Sequence, residues 1–183
     1  AYKNIKDTSL TAQFKIQKNK KSQEIIGDSD CYFLAWTTTP WTLPANNGLA
    51  VGEKIKYNLI ETFNKYTESK INVIIAEKCI EKFFDSNNLK TSEELIFDKR
   101  NLPYKILKTF KGKDLIGFDY DQLLPYVKAE KPAFTVVSGD FVTTDEGTGI
   151  VHISLTFGSD DFYVSKKNNL PGIFVKNDKN EDV

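Results

Sequence analysis

Two stretches of this chain carry polar and glycine residues that folding alone does not require. In the first, WTTTPWTLPANN over residues 36–47, three consecutive threonines, Thr37, Thr38 and Thr39, precede Pro40, Trp41, Pro44 and Asn46. Proline fixes φ at two places, so the segment reads as a stiff, non-helical loop bearing several hydroxyls. In the second, DEGTGIVHISLTFGSDDFY over residues 145–163, Gly147 and Gly149 permit close backbone approach just before the single histidine, His152, and the pair Asp160 and Asp161 follows. Hydroxyls and backbone amides can orient water and a carbonyl, a carboxylate can hold a cationic group, and apolar side chains can shape a wall. These residues offer no serine or cysteine nucleophile with a base beside it, so hydrolysis here would proceed by direct attack of water, without an acyl-enzyme. Each feature also has an ordinary explanation. Threonine runs belong in strands, a lone strand histidine is usually a satisfied core residue, and acids at a helix start serve the helix dipole.

The elements that must position these residues are mostly strands. Leu10, Ala12, Phe14 and Ile16 alternate with polar residues, the period-two pattern of a half-buried strand. Polar residues 17–24 read as a hairpin or loop, and the apolar run CYFLAW, 31–36, as a buried strand ending at Thr37. Further strands are expected at 49–51, 57–62, 71–76, 104–110, 134–137 and 150–153. Ile80, Phe83 and Phe84 fall at helical spacing, predicting an amphipathic helix from 77 to about 85. A second short helix is expected around Asp121 to Leu124. A third should begin near Ser159, with Ser159 as cap and Asp160 and Asp161 in its first turn. The tail from 175 to 183 reads as frayed. Many short strands with few helices predict a mixed, β-rich α+β fold, a distorted closed β-barrel with peripheral short helices.

With 183 residues, 40% hydrophobic and 13% aromatic, the chain can bury a core as a single domain over 1–183 and is too apolar for a disordered segment. Lys plus Arg and Asp plus Glu both number 25, so no whole-domain field draws it to nucleic acid, and any RNA contact must be local. Lys15, Lys18, Lys20 and Lys21, and Lys105, Lys108, Lys111 and Lys113, could touch phosphates or form solvated faces. Cys31 and Cys79 read as buried free thiols. Neither zinc-ligand spacing nor a phosphate-binding glycine loop is present, so no metal and no cofactor is expected. Without a signal peptide or a long apolar span, the expectation is a cytoplasmic, monomeric protein with no membrane contact. The absence of methionine and the start at Ala1 suggest an excised piece.

Together the two segments resemble the connective-peptide editing domain of isoleucyl-tRNA synthetases. TTTPWTLPAN, Thr37 to Asn46, is similar to that family's threonine-rich signature, and GTGIVH followed by FGSDDFY to its second editing motif. The related valyl and leucyl enzymes continue the threonines as TTRP, so Pro40 and Trp41 favour the isoleucine branch. GFDYDQLLPY and GDFVTTDEGTGIVH extend the resemblance, whereas residues 62–102 match no motif. The chain departs from the family where Ser154-Leu155 replaces the usual Ala-Pro after the histidine, a change expected to relax that loop.

The resemblance implies a hydrolase that removes valine from mischarged isoleucine tRNA, gripping the tRNA 3' end within a larger parent synthetase that carries the ligase site elsewhere. It implies that Thr37, Thr38 and Thr39 line the ester pocket and help place the water. Trp41 and His152 would wall the amino acid side chain, Asn46 would support the loop or contact the terminal adenosine, and Asp161 would bind the α-ammonium. Gly147 and Gly149 belong to the same motif and are counted as substrate-binding. Two other readings stand beside this one: a non-catalytic module that holds the single-stranded tRNA 3' end by stacking on Trp41 and tyrosines, and a free-standing deacylase.

Overall fold

The computed structural model describes residues 8–91, 94–129, 132–174 and 177. Strands β1 (Leu10–Lys15), β2 (Cys31–Thr37), β3 (Gly48–Val51), β4 (Lys56–Phe63), β5 (Lys70–Ala76), β6 (Lys105–Lys111), β7 (Thr135–Ser138) and β8 (Ile150–Ile153) are joined by two α-helices, α1 (Lys20–Ile26) and α2 (Ser159–Lys167). Five strands form a sheet in the order β1-β2-β5-β4-β6, and three form a second in the order β7-β3-β8. The pairs β2–β5 and β3–β7 are parallel and the rest antiparallel.

Every strand expected from the sequence is present within a residue or two of its expected ends. In β1 the alternation buries Ala12 and Phe14 against the core. β5 is apolar at every position after Lys70 except Asn72, as befits a strand hydrogen-bonded on both edges. The sheet-rich α+β class holds. The closed barrel is not seen: among the described residues the ladders form two separate sheets. They are tied together by the isolated bridges Ile16–Tyr120 and Asp119–Thr135, and by the packing of β2 across β8. A large core containing Phe14, Phe33, Ile74 and Tyr120 lies under the first sheet. A small one of Ala50, Val137, Ile153, Val164 and Leu170 seats α2 on the second.

The helices depart from expectation. Where a hairpin or loop was expected over 17–24, Lys20–Ile26 form α1, because Asn19 and Ser22 make a reciprocal capping box and Ile26 is buried. The expected helix from 77 is a 3₁₀ helix over Glu77–Lys82, with Cys79 and Ile80 buried. Asp121 to Leu124 is not helical. The Asp121 amide donates to Lys15 O, extending the β1 edge, and Pro125 disfavours a helical residue before it. α2 does begin at Ser159, but Gly158 is its N-cap and makes no side-chain cap, so Ser159 is not the capping residue. The expected frayed tail lies outside the described residues apart from Asn177.

Several lysines of the two basic runs are engaged within the protein: Lys15 and Lys18 with Asp30, Lys21 with Ile116 O, and Lys108 with Glu24 O. Both cysteines are free and buried. Among the described residues no helix is long and apolar enough to cross a membrane.

Candidate active site

The threonine segment leaves the end of β2 and winds into a 3₁₀ helix over Pro40–Ala45, so it is stiff, as expected, but helical. Pro40 sits in its first turn, where a missing N–H is no loss. The Thr42 amide and hydroxyl both donate to Thr39 O, at 3.0 and 2.8 Å. Thr37 Oγ1 accepts from the Thr39 amide at 3.0 Å and lies 3.3 Å from Thr39 Oγ1. The hydroxyls of Thr37, Thr39 and Thr42 thus form one chain. Thr38 is exposed, and among the described residues its hydroxyl has no protein partner.

Opposite stands β8, paired to β3 with His152 facing Leu49 in register. Thr37, Thr38, Thr39, Gly149, His152 and Asp161 line one cavity of about 340 Å³, together with Trp36, Thr42, Glu146 and Phe157. The sequence-predicted residues brought together come from segments more than a hundred positions apart. Three others are not on the lining. Trp41 points outward with 61% of its surface exposed. Asn46 is buried behind the loop: its amide donates to Gly48 O at 2.8 Å and Ile153 O at 3.3 Å, and its Oδ1 accepts from the Tyr120 hydroxyl at 2.7 Å. Its side chain thus ties the threonine loop to β3 and β8. Gly147, at φ +63, lies under Trp36, where a Cβ would come within 2.9 Å of the indole. Gly149, at φ +73, is pressed on β5, where a Cβ would lie 2.4 Å from that of Ala76.

Trp36 and Thr42 were not singled out from the sequence. In an unbroken apolar run nothing marks Trp36 as the half-buried position of β2 that faces the cavity. The Thr39 to Thr42 spacing becomes informative only if the loop is read as 3₁₀, where residues three apart eclipse.

His152 is 7% exposed, and its Nε2 lies 2.8 Å from Thr42 Oγ1. Because the Thr42 proton is committed to Thr39 O, the hydroxyl must accept here, which assigns the Nε2–H tautomer. Nδ1 is buried without a partner. Desolvation pushes the imidazole down to about 4, so it is neutral near pH 7. With its proton spent on a threonine and its Nδ1 lone pair sealed from solvent, the ring offers no accessible acceptor for a proton.

Asp161, in the first turn of α2, turns back across the chain and accepts from the Ser154 amide at 3.2 Å. Burial raises its carboxyl above the ordinary aspartate value; the Ser154 N–H pulls it down and Asp160 pushes it up. The turn from Ser154 to Phe157 is closed by the Phe157 amide donating to Ser154 O at 3.1 Å, so Ser154-Leu155 does not open this loop. Proline is favoured after the first residue of such a turn, yet most residues fit there.

No family model matches the chain. The isoleucine–tRNA ligase of Cytophaga hutchinsonii is 50% identical over 182 residues, covering 99% of this chain and 16% of that protein. The same ligase of Porphyromonas gingivalis is 44% identical over 177 residues, covering 96% of this chain and 15% of that protein. The chain belongs to the isoleucyl-tRNA synthetase family. It spans only 15% to 16% of the length of these relatives. Its fold is shared with the cytosolic leucyl-tRNA synthetase editing domain of P. knowlesi, at TM-score 0.64 and 17% identity over 89% of this chain and 67% of that one. The P. falciparum counterpart matches at TM-score 0.57 and 16% identity, over 85% of this chain and 57% of that one. Within the isoleucyl-tRNA synthetase family the chain thus has the fold of those editing domains, and the cavity lies where the threonine and glycine-histidine segments meet.

Proposed function

We propose that this domain hydrolyses the ester linking valine to mischarged isoleucine tRNA, by direct attack of water, and refuses isoleucine by shape. The observation that carries this reading is the convergence of Thr37, Thr38, Thr39, His152 and Asp161 on one cavity. At about 340 Å³ the cavity falls at the small end of the roughly 300–1,000 Å³ span of ligand pockets, a size suited to an aminoacyl group and its ribose.

Within it, Asp161 is an under-solvated carboxylate with one backbone donor, and an α-ammonium would give it a charge-assisted hydrogen bond of about 1.5 to 3 kcal/mol. Thr38, whose hydroxyl has no protein partner among the described residues, is free to hold the attacking water. Thr37 and Thr39 are fixed by their mutual bonds and shape the floor beneath the carbonyl. His152, locked to Thr42, forms the wall against the side chain, and Trp36 takes the lining position expected of Trp41. One methylene separates isoleucine from valine and is worth roughly 1 to 3 kcal/mol, a range whose reference case is the synthetic site of isoleucyl-tRNA synthetase itself and not a result of this structure. A second cavity that admits only the smaller acid multiplies that discrimination.

The rest of the parent synthetase would supply the ligase site and most of the grip on tRNA, since the chain's net charge is zero. Soluble cytoplasmic work alongside translation follows from the same reading. The test is deacylation of isoleucine tRNA charged with valine or with isoleucine. Release of valine at a rate far above that of isoleucine supports the proposal. Tight binding of the tRNA 3' end with no release of either acid would replace it with a passive RNA-holding module.

A further inference from the structure

Ser154 is fully buried, and its hydroxyl has no hydrogen-bond partner among the described residues. Buried hydroxyls are nearly always paired, because an unpaired one forfeits its bonds to water and gains nothing in return. The same residue already touches the cavity acid, for its amide donates to Asp161 Oδ2 at 3.2 Å, the one hydrogen bond that carboxylate receives among the described residues. A serine hydroxyl has three staggered positions, and those gauche to the backbone nitrogen bring Oγ close beside the N–H. A single χ1 rotation therefore carries an unpaired donor toward an under-satisfied acceptor.

We propose that Ser154 is a positioning residue, whose hydroxyl and amide together clamp the Asp161 carboxylate and fix its direction into the cavity. The clamp has a physical need. Asp161 is held on the first turn of a nine-residue helix whose cap, Gly158, offers no side chain to steady it. Two donors from one residue fix a carboxylate in plane, whereas one leaves it free to swing about the Cβ–Cγ bond. Both donors also favour the ionised form, against the burial that opposes it. The inference rests on the reading of Asp161 as the group that meets the α-ammonium, and its test is built so that the two can fail separately.

The experiment compares the unsubstituted chain with Ser154→Ala by NMR titration of the Asp161 carboxyl carbon. It also measures binding of a non-hydrolysable amide analogue of valyl-adenosine. The other titratable groups around the carboxylate, Asp160 on its own helix and His152 and Glu146 on the cavity lining, are unchanged by the substitution. Loss of one donor should raise the Asp161 pKa by roughly one unit and weaken the analogue about tenfold. An unchanged pKa overturns the clamp and leaves Ser154 as a core filler. A raised pKa with unchanged analogue affinity upholds the clamp and removes the ammonium role from Asp161. Should the variant misfold, the unsubstituted chain still decides. A Ser154 hydroxyl proton that exchanges slowly and shifts as Asp161 titrates supports the clamp, and one that exchanges freely with water overturns it.

Discussion

His152→Ala separates a wall from a base. The imidazole is nearly buried, its Nε2–H is committed to Thr42 and its Nδ1 is closed off from solvent, so the substitution removes bulk from the cavity without removing an available proton acceptor. Thr42 keeps its own bond to Thr39 O, and the 3₁₀ turn keeps its anchor. The space released exceeds the methylene that distinguishes the two amino acids, whose burial alone is worth about 0.8 kcal/mol. In a close-fitting pocket the discrimination reaches roughly 1 to 3 kcal/mol, so the ratio of isoleucyl to valyl deacylation should rise by about 10- to 200-fold, mostly through faster release of isoleucine. The assay is release of each amino acid from isoleucine tRNA under single turnover, with a thermal melt to confirm the fold. A base would behave differently: both rates would fall together by roughly two to four orders of magnitude, with the ratio unchanged. That pattern would refute the wall, and two rates near those of the unsubstituted chain would reduce His152 to a core residue.

Asp161→Ala should abolish most deacylation while the chain stays folded, whereas Asp160→Ala, an exposed acid of the same turn worth about 0.3 to 1 kcal/mol to the helix, should change the rate little; equal, mild losses in both variants would reduce Asp161 to a helix-start acid. Because burial holds His152 at about 4 against an ordinary 6.5, the unfolded chain binds a proton there that the folded chain refuses. Its contribution is complete above pH 6.5 and is lost as pH falls toward 4, roughly 3 kcal/mol across that window, with Asp161 working in the opposite sense near its own titration. Urea melts should show this slope in the unsubstituted chain and a flatter one in His152→Ala, and identical slopes would place the titration elsewhere. Gly149→Ala combines φ +73 with a Cβ contact of 2.4 Å on Ala76, so it should lower stability by at least about 2 kcal/mol in the same melts; a loss under about 0.5 kcal/mol would show that the loop yields.

The strands were legible because their signal is local: β-branched and aromatic residues alternate or run unbroken between turn residues, as from Leu10 to Ile16 and from Lys70 to Ala76. What failed to show depends on partners remote in sequence or on finer backbone geometry. Nothing local says that β3 pairs with β7 and β8 in a sheet of their own, so the barrel was an extrapolation from strand number. α1 hid in a lysine-rich stretch whose capping pair, Asn19 and Ser22, is its one clear mark. The site was legible as two motifs, and the cavity does gather Thr37–Thr39, His152 and Asp161. The choice between Trp36 and Trp41 was not, because which tryptophan faces inward is settled by the point at which β2 gives way to a 3₁₀ turn. The burial of Asn46 was not legible either, because the partner that satisfies its Oδ1, Tyr120, lies 74 positions away.

A crystal structure with a non-hydrolysable amide analogue of valyl-adenosine tests the central claim most directly. The account predicts the α-ammonium within about 3 Å of Asp161, the isopropyl group against His152 and the adenosine toward the mouth beside Phe157. An analogue bound elsewhere on the domain, or bound in the cavity with its ammonium turned away from Asp161, would contradict it.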